Sequence, residues 1–182
     1  TGVGEECVTG IVKFDNKILM MLDFEKIVAE VNPSTGIGEG RDKIGKADNK
    51  NKTVLIAEDS GMIMKLIKGA LTDAGYNVLW AYNGEDALKR LNELSDKSAA
   101  QNKSLTNFIN LVISDVEMPK MDGLHLLSRI KSHPQLKELP VIIFSSMATQ
   151  DNIKKWQGLG ASDFISKPDM NILIKTVGKY VI

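Results

Sequence analysis

From Thr53 onward the chain alternates short β-branched or aliphatic runs with stretches in which apolar residues recur at helical spacing. The runs Val54-Leu55-Ile56-Ala57, Asn77-Val78-Leu79-Trp80-Ala81, Leu111-Val112-Ile113, Val141-Ile142-Ile143-Phe144 and Asp163-Phe164-Ile165 predict five strands. Between and after them the spacing predicts helices over roughly 61–74, 84–94, 122–132, 150–159 and 171–180, with Gly75 and Gly160 as C-terminal stops. Repeated βα units of this kind wind around a parallel sheet. The expected fold class is α/β: a doubly wound, flavodoxin-like, five-stranded parallel sheet of order 2-1-3-4-5, which opens to ligands where strands one and three meet.

The first residues follow a different rhythm. Cys7 to Phe14 and Ile18 to Leu22 read as two strands turned at Asp15-Asn16, followed by a short amphipathic helix through Ile27 and Val28. Residues 32–52 are rich in Gly, Asp, Asn, Lys and Ser, with few large apolar residues, as in a solvated linker. The expected organisation is a short β-hairpin and helix fragment over 1–31, a flexible linker over 32–52 and a full domain over 53–182.

Composition narrows the function classes. Lys and Arg together number 23, as do Asp and Glu, so the formal net charge is zero. No broad basic footprint for DNA or anionic lipid is offered. No apolar stretch approaches the roughly 20 residues of a bilayer span, so a soluble protein without membrane insertion is expected. The single cysteine, Cys7, excludes an internal disulfide and fits a reducing, cytoplasmic setting. A chain that opens on Thr1, with no signal-like segment, reads as a piece whose natural start lies upstream.

The chemistry gathers at the strand ends. Glu58 and Asp59 follow the first predicted strand of the sheet and Asp115 the third, which brings three carboxylates to the one open crevice. Carboxylates so close repel unless a cation sits among them, and an all-oxygen set suits Mg²⁺ together with a phosphate. Asp115, held at the strand end by the turn Val116-Glu117-Met118-Pro119, is the best-placed nucleophile for forming an acyl phosphate. Ser145 at the end of the fourth strand offers a hydroxyl, and Lys167 at the end of the fifth offers a cation for the transferring oxygens. Singly, each has a bland reading: Glu58-Asp59-Ser60 caps a helix, Ser145 is a loop hydroxyl and Lys167 a solvated lysine.

Jointly they form four ordered blocks: Val-Leu-Ile-Ala-Glu-Asp-Ser at 54–60, Leu-Val-Ile-Ser-Asp-Val-Glu-Met-Pro-Lys-Met-Asp-Gly at 111–123, Pro-Val-Ile-Ile-Phe-Ser-Ser at 140–146 and Gly-Ala-Ser-Asp-Phe-Ile-Ser-Lys-Pro at 160–168. On these, residues 53–182 resemble a two-component response-regulator receiver domain. The resemblance implies a signalling domain rather than an enzyme, with Asp115 as the phosphoacceptor served by a histidine kinase. Asp59 would ligate Mg²⁺ directly, Glu58 through water, and Glu117 through its backbone carbonyl. Ser145 and Lys167 would hold phosphoryl oxygens, Ser145 and Phe164 would act as the switch pair, and a cis Lys167-Pro168 bond would be in keeping. The usual partner face of such domains corresponds to about 150–180. Glu58 departs from the commoner Asp and Phe164 from the frequent Tyr; Glu117 and Met147 occupy the positions that tune hydrolysis of the acyl phosphate.

The stretch from Glu6 to Val28, chiefly Gly10 and the Leu22-Asp23 ending, resembles the last part of a CheW-like coupling domain. That order, followed by linker and receiver, is the order of the CheV family. It implies a CheA-like kinase as partner, with chemoreceptors engaged through the CheW-like part. Two readings compete: a stand-alone phosphorelay receiver outside chemotaxis, and a Mg²⁺-dependent phosphohydrolase with an Asp nucleophile, whose paired-acid motif is echoed by Asp115-Val116-Glu117. Of the remaining features, Gly36-Ile37-Gly38-Glu39-Gly40 reads as linker. His125 and His133 have no acidic or Cys partner at ligand spacing and read as surface or helix-end residues. Trp80 and Trp156 read as packing residues, and Met62 and Met64 as crevice edge or core filler.

Overall fold

The computed structural model describes residues 8–14, 17–22, 51–147 and 149–181. The chain divides into two units, Thr1–Lys43 and Ile44–Ile182. In the first, β1 (Val8–Phe14) and β2 (Lys17–Leu22) pair antiparallel, Phe14 facing Lys17, with an irregularity between Val8 and Gly10. Cys7, the Asp15-Asn16 turn, the helix expected through Ile27 and Val28, and all but the last two residues of the expected linker lie outside the described residues.

The second unit is the expected α/β domain. Its strands are β3 (Thr53–Ala57), β4 (Asn77–Ala81), β5 (Leu111–Ser114), β6 (Val141–Ser145) and β7 (Asp163–Ser166), all parallel, in the spatial order β4-β3-β5-β6-β7. Counted within the unit, this is 2-1-3-4-5. The helices are α1 (Gly61–Asp73), α2 (Gly84–Ala100), α3 (Gly123–Ser132), α4 (Gln150–Gly158) and α5 (Met170–Tyr180).

The near-continuous apolar strands follow from burial on both faces. Val54, Ile56, Leu111, Ile113, Ile142 and Phe144 pack on one side with Ile67 and Leu71 of α1 and Leu173 and Val177 of α5. Leu55, Ala57, Val112, Val141 and Ile143 pack on the other with Leu91 of α2, Leu126, Leu127 and Ile130 of α3, and Trp156 of α4. Each helix opens on a side-chain cap, Ser60, Asn83, Asp122, Thr149 and Asp169 accepting from the amide three residues on. Gly75 and Gly160 stand at φ +93 and +92, as stops in the left-handed region should.

α2 runs six residues beyond the expected end at Leu94. The polar stretch that hid this is satisfied by side-chain bonds: Ser95 Oγ bonds the distant Gln135 Oε1, and Ser98 Oγ donates to the nearby Lys103 O at 2.7 Å. A short 3₁₀ turn, Leu105–Asn107, precedes β5 and was not expected.

Candidate functional site

The ladders of the sheet continue one residue past the strands and so fix the acids. Glu58 N donates to Ala81 O at 3.0 Å and Asp115 N to Ala57 O at 2.9 Å, so both residues sit at the carboxyl ends of neighbouring strands. Carboxylate oxygens of Glu58, Asp59 and Asp115 lie within 4.8 Å of one another. Glu58 and Asp115 are buried, 1% and 6% exposed, whereas Asp59 is open to solvent.

Lys167 ties the two buried acids together. Its Nζ lies 2.8 Å from Glu58 Oε2 and 2.9 Å from Asp115 Oδ2. The lysine is set in place by its amide, which donates to Ser145 O at 3.2 Å, and the Lys167-Pro168 bond is cis. Ser145 is buried, and its Oγ accepts from Met147 N at 3.2 Å. The other carboxylate oxygens are held from the backbone: Asp115 Oδ1 accepts from Val116 N at 2.7 Å and Glu58 Oε1 from Ser60 N at 3.2 Å.

Charge is not balanced. Three carboxylates face one ammonium, two more acids than cations. Burial pushes the Glu58 carboxyl above its ordinary value, Lys167 pulls it back and Asp115 adds to the rise. Burial likewise draws the Lys167 ammonium down, but Glu58 and Asp115 outweigh it and hold the ammonium above its usual range.

The donor set fits a hard divalent cation. It is all oxygen, its deficit is that of a 2+ ion, and Glu58 Oε2, fully buried, faces the ammonium without a well-aligned hydrogen bond, so it keeps capacity for another partner. Glu117 is exposed, two residues past Asp115. Two open surface grooves lie elsewhere, one of about 520 Å³ lined by Asn51, Lys52, Thr53, Asn77, Thr106 and Asn107, the other of about 360 Å³ lined by Lys120, Met121, His125 and Arg129. Neither includes the carboxylates. The convergence of charged groups, not room, marks the crevice as the site.

The loop after Asp115 depends on two glycines to which the sequence reading gave no role. A Cβ on Gly123 would lie 1.9 Å from Asp115 O, and one on Gly84 2.6 Å from Met121 O. Both amides bond the same loop, Gly123 N to Val116 O and Gly84 N to Met121 O, each at 3.0 Å. The Asp-Gly pair ending the 111–123 block was the available signal.

Phe164 is half-buried, its ring centroid 6.5 Å from that of Trp156 at an interplanar angle of 60°. Trp156 is a core residue; Trp80 is half-buried beneath the Lys68 ammonium, 4.0 Å from its ring centre. His125 needs a correction. It does have an acidic partner, because Asp122, as the α3 cap, turns its second oxygen to His125 Nδ1 at 2.8 Å. Burial tends to raise Asp122, but the His125 amide and ring prevail and hold it low.

Residues 54–178 match the response regulator receiver domain family, and the chain belongs to it. That makes it a signalling phosphoacceptor rather than a catalytic enzyme, in place of the phosphohydrolase reading. Among curated relatives it is 29% identical over 178 residues to chemotaxis protein CheV3 of Helicobacter pylori, covering 97% of this chain and 56% of that protein. It is 31% identical over 172 residues to CheV2 of the same organism, covering 93% and 52%. The chain thus spans about half the length of these relatives. It is also 37% identical over 135 residues to a two-component response regulator of Arabidopsis thaliana, covering 73% and 86%. Among solved structures, the receiver domain of a Francisella response regulator superposes with a TM-score of 0.60 at 28% identity, covering 72% of this chain and 97% of that one. Chemotaxis protein CheY4 of Vibrio cholerae does so at 0.58 and 27%, covering 71% and 98%. Among the described residues no helix is long and apolar enough to cross a membrane.

Proposed function

We propose that the chain is the phosphoacceptor part of a CheV-type chemotaxis coupling protein, phosphorylated on Asp115 by a CheA-like histidine kinase. The observation that carries the acceptor role is the buried Asp115 carboxylate facing Lys167 Nζ at 2.9 Å beside Glu58 and Asp59. In the transfer, an Asp115 carboxylate oxygen attacks the phosphorus of a phosphohistidine. The P–O bond forms as the P–N bond breaks, the electron pair leaves on the imidazole nitrogen, and that nitrogen takes a proton from solvent. Lys167 and the Ser145 hydroxyl then hold phosphoryl oxygens. Glu58, Asp59, Asp115 and the Glu117 carbonyl would hold Mg²⁺, which when bound supplies neutralisation of charge on the transferring phosphoryl group.

In this reading Ser145 and Phe164 carry the switch, moving α4, β7 and α5 as the partner face. The CheV assignment is supported by matches that run through the residues before Thr53 as well as the receiver. The order is then a CheW-like segment over 1–31, a linker over 32–52 and the receiver over 53–182, with chemoreceptors engaged by the whole coupling protein.

Intact-mass measurement after incubation with Mg²⁺ and acetyl phosphate tests the core of this. One phosphoryl adduct is expected on the wild-type chain, and none on Asp115→Ala or with the metal chelated. An adduct that persists on Asp115→Ala would move the acceptor elsewhere.

A further inference from the structure

Three of the four residues of β5 are aliphatic, and the fourth, Ser114, is enclosed as fully as they are, at 0% exposed. In the ladders it lies between Ala57 of β3 and Ile143 of β6. A hydroxyl in such surroundings costs stability unless it is bonded. Ser114 Oγ gives its proton to Asp115 O at 2.9 Å, in a bond that is itself buried. Neither the cation site nor the groups that face the Asp115 carboxylate make use of this hydroxyl.

The Asp115 carbonyl is one end of a planar unit whose other end is the Val116 N–H. Fixing the direction of the oxygen therefore fixes that of the hydrogen, and Val116 gives this hydrogen to Asp115 Oδ1 at 2.7 Å. Gly123 closes the arrangement: a Cβ there would stand 1.9 Å from the same carbonyl and 2.8 Å from Ser114 Oγ. The Ser114 hydroxyl is thus linked, through one rigid peptide, to one oxygen of the carboxylate. The second oxygen, Oδ2, faces Lys167 Nζ at 2.9 Å. Oδ1 is tethered to backbone, whereas the ammonium against Oδ2 is free to move to an arriving phosphoryl group.

We propose that Ser114 is a positioning residue for phosphoryl acceptance: its hydroxyl fixes the Asp115–Val116 peptide so that Oδ1 is tethered and Oδ2 is the oxygen presented for attack. The inference rests on the phosphoacceptor reading of Asp115 and names the oxygen that reacts. With acetyl phosphate as donor, Oδ2 bonds to phosphorus as the bond to the acetate oxygen breaks, and acetate leaves with the electron pair. Ser114, enclosed beneath Gly123, acts through the peptide and not on the donor.

The test measures the rate of the intact-mass adduct against acetyl phosphate concentration, in Mg²⁺, beside the backbone amide spectrum of the unphosphorylated chain. Ser114→Ala should lower the saturating rate roughly fivefold or more, with the half-saturating donor concentration within about twofold. Its Val116 amide, released from the carboxylate, should shift upfield and exchange faster with solvent. Ser114→Cys, whose thiol is a weak donor, should fall between Ala and wild type in both readouts. Ile113→Val trims one buried methylene at the adjacent position of the strand and serves as the control for loosened packing. It should leave the rate and the Val116 amide as in wild type.

A Ser114→Ala chain that accepts phosphate at the wild-type rate, or that loses rate with its Val116 amide unmoved, would overturn the positioning role. So would an Ile113→Val loss as large as that of Ser114→Ala, or a loss confined to the half-saturating concentration. Should Ser114→Ala not fold, Ser114→Cys faces the same criteria against wild type. A wild-type chain that takes no phosphate at all would overturn the phosphoacceptor reading itself, whereas a normal wild-type rate that Ser114→Ala does not change overturns the role of Ser114 alone.

Discussion

The two ends of β5 each carry a buried polar residue, and the two are satisfied in opposite ways. At the amino end, Asn110 Oδ1 accepts from Thr53 N and its Nδ2 donates to Thr106 O, both at 2.8 Å. At the carboxyl end, Asp115 spends one oxygen on the Val116 amide and sets the other against Lys167, which Glu58 shares. Asn110 stitches backbone to backbone, and its partners have nowhere else to go. Asp115 has one backbone partner too, but its other oxygen faces a charged side chain that Glu58 shares and that can change partner. A buried polar group bonded to fixed backbone is part of the scaffold; one balanced by other titratable groups is held ready for exchange.

The sharpest way to break this comparison is Lys167→Met. It leaves two buried carboxylates facing each other with no cation between them, so the metal-free chain should lose about 3 kcal/mol in urea denaturation. Mg²⁺ should restore most of that loss and bind more tightly than to wild type, because no ammonium competes, while phosphorylation by acetyl phosphate falls steeply. A variant whose stability is indifferent to Mg²⁺ would show that the carboxylates do not form a cation site.

Asn110→Ala should do the reverse. It strands the Thr53 amide and the Thr106 carbonyl, at a cost of about 2 kcal/mol that Mg²⁺ leaves unchanged. Folded Asn110→Ala should still take phosphate at close to the wild-type rate, measured as the intact-mass adduct at low temperature. A selective loss of phosphorylation in the folded variant would erase the distinction between the two ends of the strand.

The two ends also differed in how far the sequence disclosed them. Glu58, Asp59, Asp115, Ser145 and Lys167 each follow an apolar run, and in a parallel sheet of this order every such position comes to one edge, so periodicity plus topology was enough to gather them. Asn110 gave no comparable signal, because its partners come from another strand and a 3₁₀ turn that have no sequence relation to it. The same limit hid the last six residues of α2, whose Ser95 and Ser98 are polar in sequence but bonded to Gln135 and Lys103. It hid the Asp122–His125 pair too, because the second Asp122 oxygen meets the ring only once the first caps α3. Nor could spacing say that Lys167 bridges both acids, or that Gly123 lets α3 close onto the Asp115 carbonyl. Those are facts of distance.

The smallest effect sharpens the same contrast through pH. In the metal-free chain the Glu58 carboxyl is held above its ordinary value of 4.5, chiefly by burial and further by Asp115, with Lys167 opposing. The folded chain therefore binds this proton more tightly than the unfolded one. The contribution to stability is fully present below pH 4.5 and is lost as pH rises through the raised folded value. Lys167, also raised, contributes stability below its ordinary 10.5 that is lost only at still higher pH, outside this window. Glu58→Gln removes the acid titration. With a chelator present, the urea midpoint of wild type should decline relative to that of Glu58→Gln as pH climbs from about 4.5 toward neutrality. Saturating Mg²⁺ should reverse the slope, because the ion competes with the proton for the same oxygens. If wild type instead gains on Glu58→Gln with rising pH in the absence of metal, the Lys167 pairing outweighs burial and the acidic end of β5 is as settled as Asn110.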